Sequence, residues 1–226
     1  MAERIILIEG NICAGKSSMC RYIKQQKERL YGTNGEIVLE FVDPPALEEF
    51  YANIPQNTEM YELSCLMNRI ARHTMADRKR GTLVFDRGMI GGAETFCQNS
   101  YNEGHLDDDG FNIYHTILER AIEKLGKNRQ QNWLEQTVVY LQVKDIDILQ
   151  ERQRQRPDFE GEVIPAGYLE KINELYEAFI VNIDVIYDKY GLKAPTVITV
   201  DASIDLNKEP EFHEDVFRKI LEANVK

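Results

Sequence analysis

A chain of 226 residues, 43% of them hydrophobic, can bury one sizeable core and is short for a second full domain, so one domain over 1–226 is expected. Its 27 basic and 38 acidic residues leave a formal net charge of −11, which repels a phosphate backbone and argues against duplex DNA or RNA as a partner. No apolar run approaches a bilayer crossing, and the opening MAERIILIEG reads as structure instead of a secretory or transit segment, so a cytoplasmic protein without a membrane partner is expected.

In chain order, short β-rich runs alternate with longer amphipathic stretches. RIILIE is predicted as the first strand, followed by a helix over about Ser17 to Arg29 and a second strand, EIVLEFV. Helices are expected over about Asn57 to Arg80, then the strand TLVFD, helical segments over about Met89 to Gly126, and the strand TVVYLQV. A helix from about Asp145, another over about Ala166 to Tyr190, the strand TVITVD and a closing helix complete the pattern. Apolar strands separated by helices specify an α/β fold: a five-stranded parallel sheet with helices on both faces and ligands at the carboxyl ends of the strands. YGTNGE and YNEGHLDDDG read as surface loops, and the acidic run HLDDDG as helix capping in preference to a metal site. Cys13, Cys20, Cys65 and Cys97 lack the spacing of a zinc site or a disulfide scaffold and are expected to pack as small hydrophobes.

Between the first strand and the first helix stands GNICAGKSS, which fits G-x-x-x-x-G-K-[ST]. In that setting Gly10, Asn11, Ile12, Cys13, Ala14, Gly15, Lys16, Ser17 and Ser18 are expected to wrap the phosphates of ATP, or of another nucleoside triphosphate, at a helix amino end. Lys16 supplies a point charge between phosphates and Ser17 a ligand for Mg2+. VFDRG ends the third strand with Asp86 and Arg87 side by side, where an open α/β sheet collects catalytic groups. ERQRQR puts Arg152, Arg154 and Arg156 at alternate positions in an otherwise acidic chain. Such a run is either a solvated face or a cluster that closes over a triphosphate, and the upstream phosphate loop favours the second. The loop alone names no reaction, because switch proteins, motor ATPases and small-molecule kinases share it.

Over nearly its whole length the chain resembles the deoxynucleoside kinase family, which includes deoxycytidine, deoxyguanosine and deoxyadenosine kinases. After GNICAGKS the likeness is carried by EFVDPPALEEFY in place of the family's E-P-V segment and YELSCLMNR in place of its Q-to-R helix. DRG stands for D-R-S, ERQRQR for the arginine-rich lid, and IPAGYLEK follows it. The resemblance implies a P-loop kinase fold with a lid over about 152–165, ATP and Mg2+ as cofactors, a homodimer, and transfer of the γ-phosphoryl group to the 5′-hydroxyl of a deoxynucleoside. It makes Glu40 the general base, with Asp43 a rival because Phe41 replaces the family's proline. It also implies that Arg87 steadies that carboxylate and the moving phosphoryl group, that Asp86 supports Mg2+ with Ser17, and that Lys16, Arg152, Arg154 and Arg156 offset phosphate charge. The donor adenine is implied to lie in TVDASIDL, around Asp205. Gly88 replaces the family's serine, and Pro157 and Phe159 interrupt the lid.

At the acceptor end the family places a tyrosine on the sugar 3′-hydroxyl eleven residues before a glutamine that reads the base; here those positions hold Tyr51 and Glu62. An amide donates and accepts, whereas an ionised carboxylate only accepts. Guanine offers N1–H and N2–H2 side by side, so one reading pairs Glu62 with a guanine edge, with Arg69 near a carbonyl oxygen. The other pairs Glu62 with Arg69 two helical turns on, touching no base. Gly92 stands where relatives that read cytosine or adenine carry a charged side chain, and is expected to leave more room. Tyr61 and Phe96 are either aromatic walls around the base or core residues, and Glu160 or Glu162 is expected at the 3′-hydroxyl. Two other functions stay open: a thymidylate-type monophosphate kinase, whose acceptor would want arginine where Glu40 stands, and a non-catalytic binding module, against which the intact Lys16, Ser17, Asp86 and Arg87 weigh.

Overall fold

The computed structural model describes residues 2–30, 36–40, 44–76, 81–128, 135–156, 164–204 and 211–223. Among them run strands β1 (Ala2–Glu9), β2 (Glu36–Val38), β3 (Gly81–Asp86), β4 (Glu135–Gln142) and β5 (Thr196–Asp201), all parallel, in the order β2-β3-β1-β4-β5. They alternate with α1 (Lys16–Gln25), α2 (Pro44–Ala52), α3 (Ile54–Ala76), α4 (Met89–Gly92), α5 (Gln98–Asn102), α6 (Asp108–Asn128), α7 (Ile146–Arg154), α8 (Ala166–Val181), α9 (Ile183–Lys189) and α10 (Phe212–Ala223). A short π-helical stretch, Ala93–Cys97, joins α4 to α5.

The period of two explains why the strands read as unbroken apolar runs. Ile5 and Leu7 join Leu83, Phe85, Val138 and Tyr140 in one core, while Ile6 and Ile8 join Val84, Val139 and Leu141 in another. Leu66 of α3, Leu118 of α6 and Ile172 of α8 close the first core; Ile23 of α1, Leu149 of α7 and Phe217 of α10 close the second. Each such side chain contributes about 1.5–3 kcal/mol on burial. The sheet thus carries helices on both faces, as expected. β1 lies between β3 and β4, and the loops leaving β1, β2 and β3 meet at one edge of the sheet.

Element boundaries differ from the expectations in instructive places. β2 stops at Val38, so Glu40 stands two residues past the strand. EFVDPPALEEFY yields α2, with Pro44 and Pro45 in its first turn, where a missing N–H costs nothing. The single run over Ala166 to Tyr190 is two helices that part at Asn182, and the run from Met89 breaks again before Asp108. Asp107 Oδ1 accepts from the Gly110 N–H at 2.9 Å, the capping role expected of the acidic run. All four cysteines are free thiols, three of them buried. Among the described residues no helix is long and apolar enough to cross a membrane. Asp43, Pro157, Phe159, Glu160, Glu162 and Asp205 lie outside the described residues, as does the side chain of Tyr51, whose backbone belongs to α2.

Candidate active site

β1 enters the phosphate loop at Gly10, where φ is 145° and a Cβ would lie 2.7 Å from the Leu141 carbonyl oxygen, so that only glycine fits. Cys13 at φ 63° and Gly15 at φ 101° turn the chain onto α1, whose amino end no side chain caps. That leaves a concave run of backbone at a helix amino end, suited to anionic oxygens. Lys16 Nζ donates to the carbonyls of Gly10 (3.0 Å) and Asn11 (2.8 Å). Burial, and then the charge of Arg87, pull its pKa down to about 8 against Asp86, Glu40 and Glu9. Asn11 Nδ2 donates to the Leu169 carbonyl (2.8 Å) and to Asn173 Oδ1 (2.7 Å), tying the loop to α8. Ala14 is buried beside Cys13, and Ile12 and Ser18 are half-buried.

Ser17 Oγ donates to Asp86 Oδ2 at 2.7 Å, and Asp86 Oδ1 is buried with no hydrogen-bond partner among the described residues. An exposed serine facing a carboxylate with a spare oxygen, at the mouth of a phosphate loop, fits a hard cation such as Mg2+ that completes its shell with phosphate oxygens and water.

Glu40 meets two arginines from two elements. Its Oε1 accepts from Arg69 of α3 at 2.9 Å and its Oε2 from Arg87 Nε, just past β3, at 3.1 Å. Arg72, one turn beyond Arg69, donates to the Leu39 carbonyl and so fixes the backbone that presents Glu40. Burial works to raise the Glu40 pKa; Arg87, Arg69 and Lys16 together outweigh it and hold the carboxyl well below its usual range. Arg87 sits at φ 67°, with its guanidinium 4.2 Å from the centroid of the Phe96 ring and a hydrogen bond to the Tyr176 hydroxyl.

At the acceptor end Glu62 and Arg69 take different partners. Glu62 is buried and its Oε1 accepts from Ser100 Oγ at 3.0 Å, while Arg69 pairs with Glu40. Burial raises the Glu62 pKa, opposed by Arg69, the Ser100 hydrogen bond and Arg87. Nε and Nη1 of Arg69 are buried without a partner among the described residues. Gly92 leaves no open space: a Cβ there would stand 2.4 Å from Arg69 Nη1, so the guanidinium occupies the room the missing side chain provides. Phe96 lies under Arg87, and Tyr61 stacks on Phe50 at 4.4 Å.

Arg152 and Arg154 of α7 and Arg156 just past it separate. Arg152 Nη2 donates to the carbonyls of Ala202 (2.6 Å) and Ile204 (2.7 Å), and its Nη1 reaches the Cys13 carbonyl at 3.4 Å, bracing the phosphate loop against the segment after β5. Arg154 is exposed beside Glu151 at 3.2 Å, and Arg156 is exposed at the end of the described stretch, its charge near enough to lower the Cys13 pKa against burial. Residues at i and i+2 point away from each other on a helix, so Arg152 and Arg154 share no face, and Arg156 lies two residues past the end of α7.

Sequence reasoning passed over Glu9, Tyr176, Ser100 and Arg72. Glu9 had a signal, a charge closing an otherwise apolar strand; Tyr176, on an amphipathic helix, had none.

Residues 6–226 match the family model described as Deoxynucleoside kinase. Deoxyguanosine kinase of Dictyostelium discoideum is 24% identical over 187 residues, covering 79% of this chain and 59% of that protein. The mitochondrial NADH dehydrogenase (ubiquinone) 1 alpha subcomplex subunit 10 of Mus musculus is 21% identical over 239 residues, 94% of this chain and 65% of that protein. The chain therefore spans less than two thirds of the length of either curated relative. The solved deoxyadenosine kinase from M. mycoides with bound dCTP shares the fold, with a TM-score of 0.67 at 22% identity, covering 95% of this chain and 99% of that one. Since the family match runs unbroken through the phosphate loop, the Asp86–Arg87 strand end and α7, the chain belongs to the deoxynucleoside kinase family.

Proposed function

We propose that the chain phosphorylates the 5′-hydroxyl of a deoxynucleoside with ATP. The observation that carries this is a carboxylate, Glu40, clamped by Arg69 and Arg87 at the sheet edge that also holds the phosphate loop. The hydroxyl oxygen attacks the γ-phosphorus, the bond to the β–γ bridging oxygen breaks, ADP leaves with that electron pair, and Glu40 takes the hydroxyl proton. A loose transition state releases that proton late, so a carboxylate of depressed pKa suffices when it is held in place. Lys16 balances the β- and γ-phosphates, Arg87 spans Glu40 and the moving phosphoryl group, and Arg154 at the end of α7 and Arg156 beyond it supply further charge. Ser17 and Asp86 would hold Mg2+, which when bound would supply neutralising charge on the phosphate oxygens.

For the base, Glu62 and Arg69 support a guanine-type acceptor. A carboxylate accepts from N1–H and N2–H2, and the two unmet donors of Arg69 suit the O6 carbonyl. The likeness to a protein named deoxyguanosine kinase agrees with this. Tyr51 would contact the sugar, and Tyr61 or Phe96 the base. A single domain, a cytoplasmic location and a homodimer belong to the same reading. A binding role without catalysis is the second reading, favoured by the likeness to a respiratory complex subunit; the Ser17–Asp86 pair weighs against it, since folding needs no such arrangement.

The test is a panel of deoxynucleosides and their monophosphates with labelled ATP and Mg2+. Phosphorylation of deoxyguanosine ahead of deoxycytidine and thymidine at limiting concentration is expected. Turnover of monophosphates only, or of no acceptor, overturns the proposal.

A further inference from the structure

Arg87 is the residue through which the acceptor carboxylate and the phosphate site communicate, and its geometry is set by groups outside both. Its Nε is committed to Glu40, its face to Phe96, and its Nη1 donates to the hydroxyl of Tyr176, which is fully buried on α8. Tyr176 cannot drift: its ring stacks on Tyr140 at 5.6 Å and meets Phe96 edge-on at 6.4 Å. Because its oxygen accepts from Arg87, its own proton needs another acceptor, and Glu9 Oε2 lies 3.2 Å away. The second oxygen of Glu9 accepts from the N–H of Gly88 at 2.8 Å, the residue that follows Arg87.

We infer that Glu9 and Tyr176 are positioning residues for phosphoryl transfer, fixing Arg87 at its guanidinium through the phenol and at its backbone through Gly88. The inference rests on the kinase reading of the site and deepens it. Two further observations set this apart from a carboxylate that is merely buried and satisfied. The loop after β3 is shaped around Glu9: a Cβ at position 91 would stand 2.4 Å from Oε1, and one at position 88 would stand 3.0 Å from it. The ring of contacts also closes on one residue, entering Arg87 at its side chain and returning at its own peptide, where φ is 67°. A left-handed backbone at an arginine costs free energy, and fixed partners on both sides hold it there.

The chemistry of the two acceptors predicts which substitutions matter. A carboxylate accepts from Tyr176 and Gly88 together, whereas an amide in its place accepts from one and turns a donor on the other. Glu9→Gln therefore disturbs Arg87 with almost no change in volume, and Tyr176→Phe removes the link with none of the ring packing.

The experiment measures kcat, KM for nucleoside and for ATP, and the acid limb of kcat against pH, for the wild-type chain, Tyr176→Phe, Glu9→Gln and the double variant. Loss of about tenfold or more in kcat, with both KM values within about threefold, is expected for each single variant. The double variant should lose little more than either single one, because both act through Arg87. A loosened Arg87 also depresses Glu40 less, so the acid limb moves to higher pH, which loss of packing alone would not cause. Where either single variant melts early, the other carries the measurement. Variants that fold, turn over within about twofold of wild type and keep the acid limb in place overturn this inference and leave the kinase reading standing. A wild-type chain that phosphorylates no nucleoside overturns both.

Discussion

Gly92→Ala tests whether the acceptor site is built around the guanidinium of Arg69. The added Cβ would lie 2.4 Å from Nη1 and 2.8 Å from Cζ, where ordinary contact begins at 3.4 Å, so the guanidinium must retreat by about 1 Å. Arg69 is only 6% exposed and its Nη2 holds Glu40 at 2.9 Å, so that retreat breaks the hydrogen bond. Crowding of this kind costs about 1–3 kcal/mol, and a hydrogen bond to a charged group about 1.5–3 kcal/mol. Yielding to one relieves the other, so the two overlap and a total of about 2–3 kcal/mol is expected. In a chain of this size that lowers Tm by about 4–12 °C. Misplacing Glu40 should also lower kcat by about tenfold or more. Thermal melts and nucleoside turnover, measured for Gly92→Ala alone and combined with Arg69→Met, separate the cause. If Arg69 is the obstacle, Gly92→Ala costs less than about 0.5 kcal/mol in the Arg69→Met background. A Tm within about 1 °C of wild type, or an equal loss in both backgrounds, refutes the reasoning.

Glu40→Gln keeps an acceptor for the arginines and removes the base; kcat should fall by about 10²–10⁴ while the nucleoside still binds, measured by turnover beside equilibrium binding. Glu62→Gln turns an acceptor-only group into one that also donates, and the ratio of deoxyguanosine to deoxyadenosine turnover should fall by about tenfold or more. Lys16, its pKa pulled down to about 8, is charged at neutral pH, and phosphate oxygens favour that charge. ATP affinity should therefore be level below pH 8 and weaken by up to about tenfold per unit above it, with proton uptake on binding seen by calorimetry in buffers of different ionisation enthalpy. The opposite sign applies to stability without ligand: between 8 and the unfolded value of 10.5 the unfolded chain holds a proton that the folded chain has lost, so this group favours folding more as pH rises through that window.

What could be read from sequence follows from where the information lies. The central strands β1 and β4 are buried on both faces, so RIILIE and TVVYLQV stand out as apolar runs, and GNICAGKSS is local to one turn. α2 was hidden because Pro44 and Pro45 suggest a break, although proline is well tolerated in a first helical turn. The division of α8 from α9 at Asn182 was hidden because apolar spacing continues across it. Function was legible only where a residue's chemistry is settled locally. The role of Arg69 depends on Glu40, 29 positions away, and that of Glu9 on Tyr176, 167 positions away; nothing in either neighbourhood announces the partner. Arg152 shows the opposite: its neighbours Arg154 and Arg156 suggest one shared cluster, whereas Arg152 turns inward onto the carbonyls of Ala202 and Ile204 and reaches that of Cys13 in the phosphate loop.

The departures from the family pattern are physically linked. Gly92 admits the Arg69 guanidinium, and that charge lies against both Glu40 and Glu62. Gly88 and Gly91 admit the carboxylate of Glu9, and that charge lies against Arg87. Around the sheet edge Glu9, Glu40, Glu62 and Asp86 are thus matched by Lys16, Arg69, Arg72 and Arg87 before any substrate arrives. Charges so matched stabilise one another, so Lys16 and Arg87, although they face the phosphates, bring little net positive charge to a triphosphate. On the proposed kinase reading, the surplus negative charge that ATP carries in would be met by groups outside the matched set: a cation at Ser17 and Asp86, and the two exposed arginines, Arg154 and Arg156. Neutralising either arginine should weaken ATP binding most at low ionic strength, because those charges, unlike the buried ones, are screened by salt.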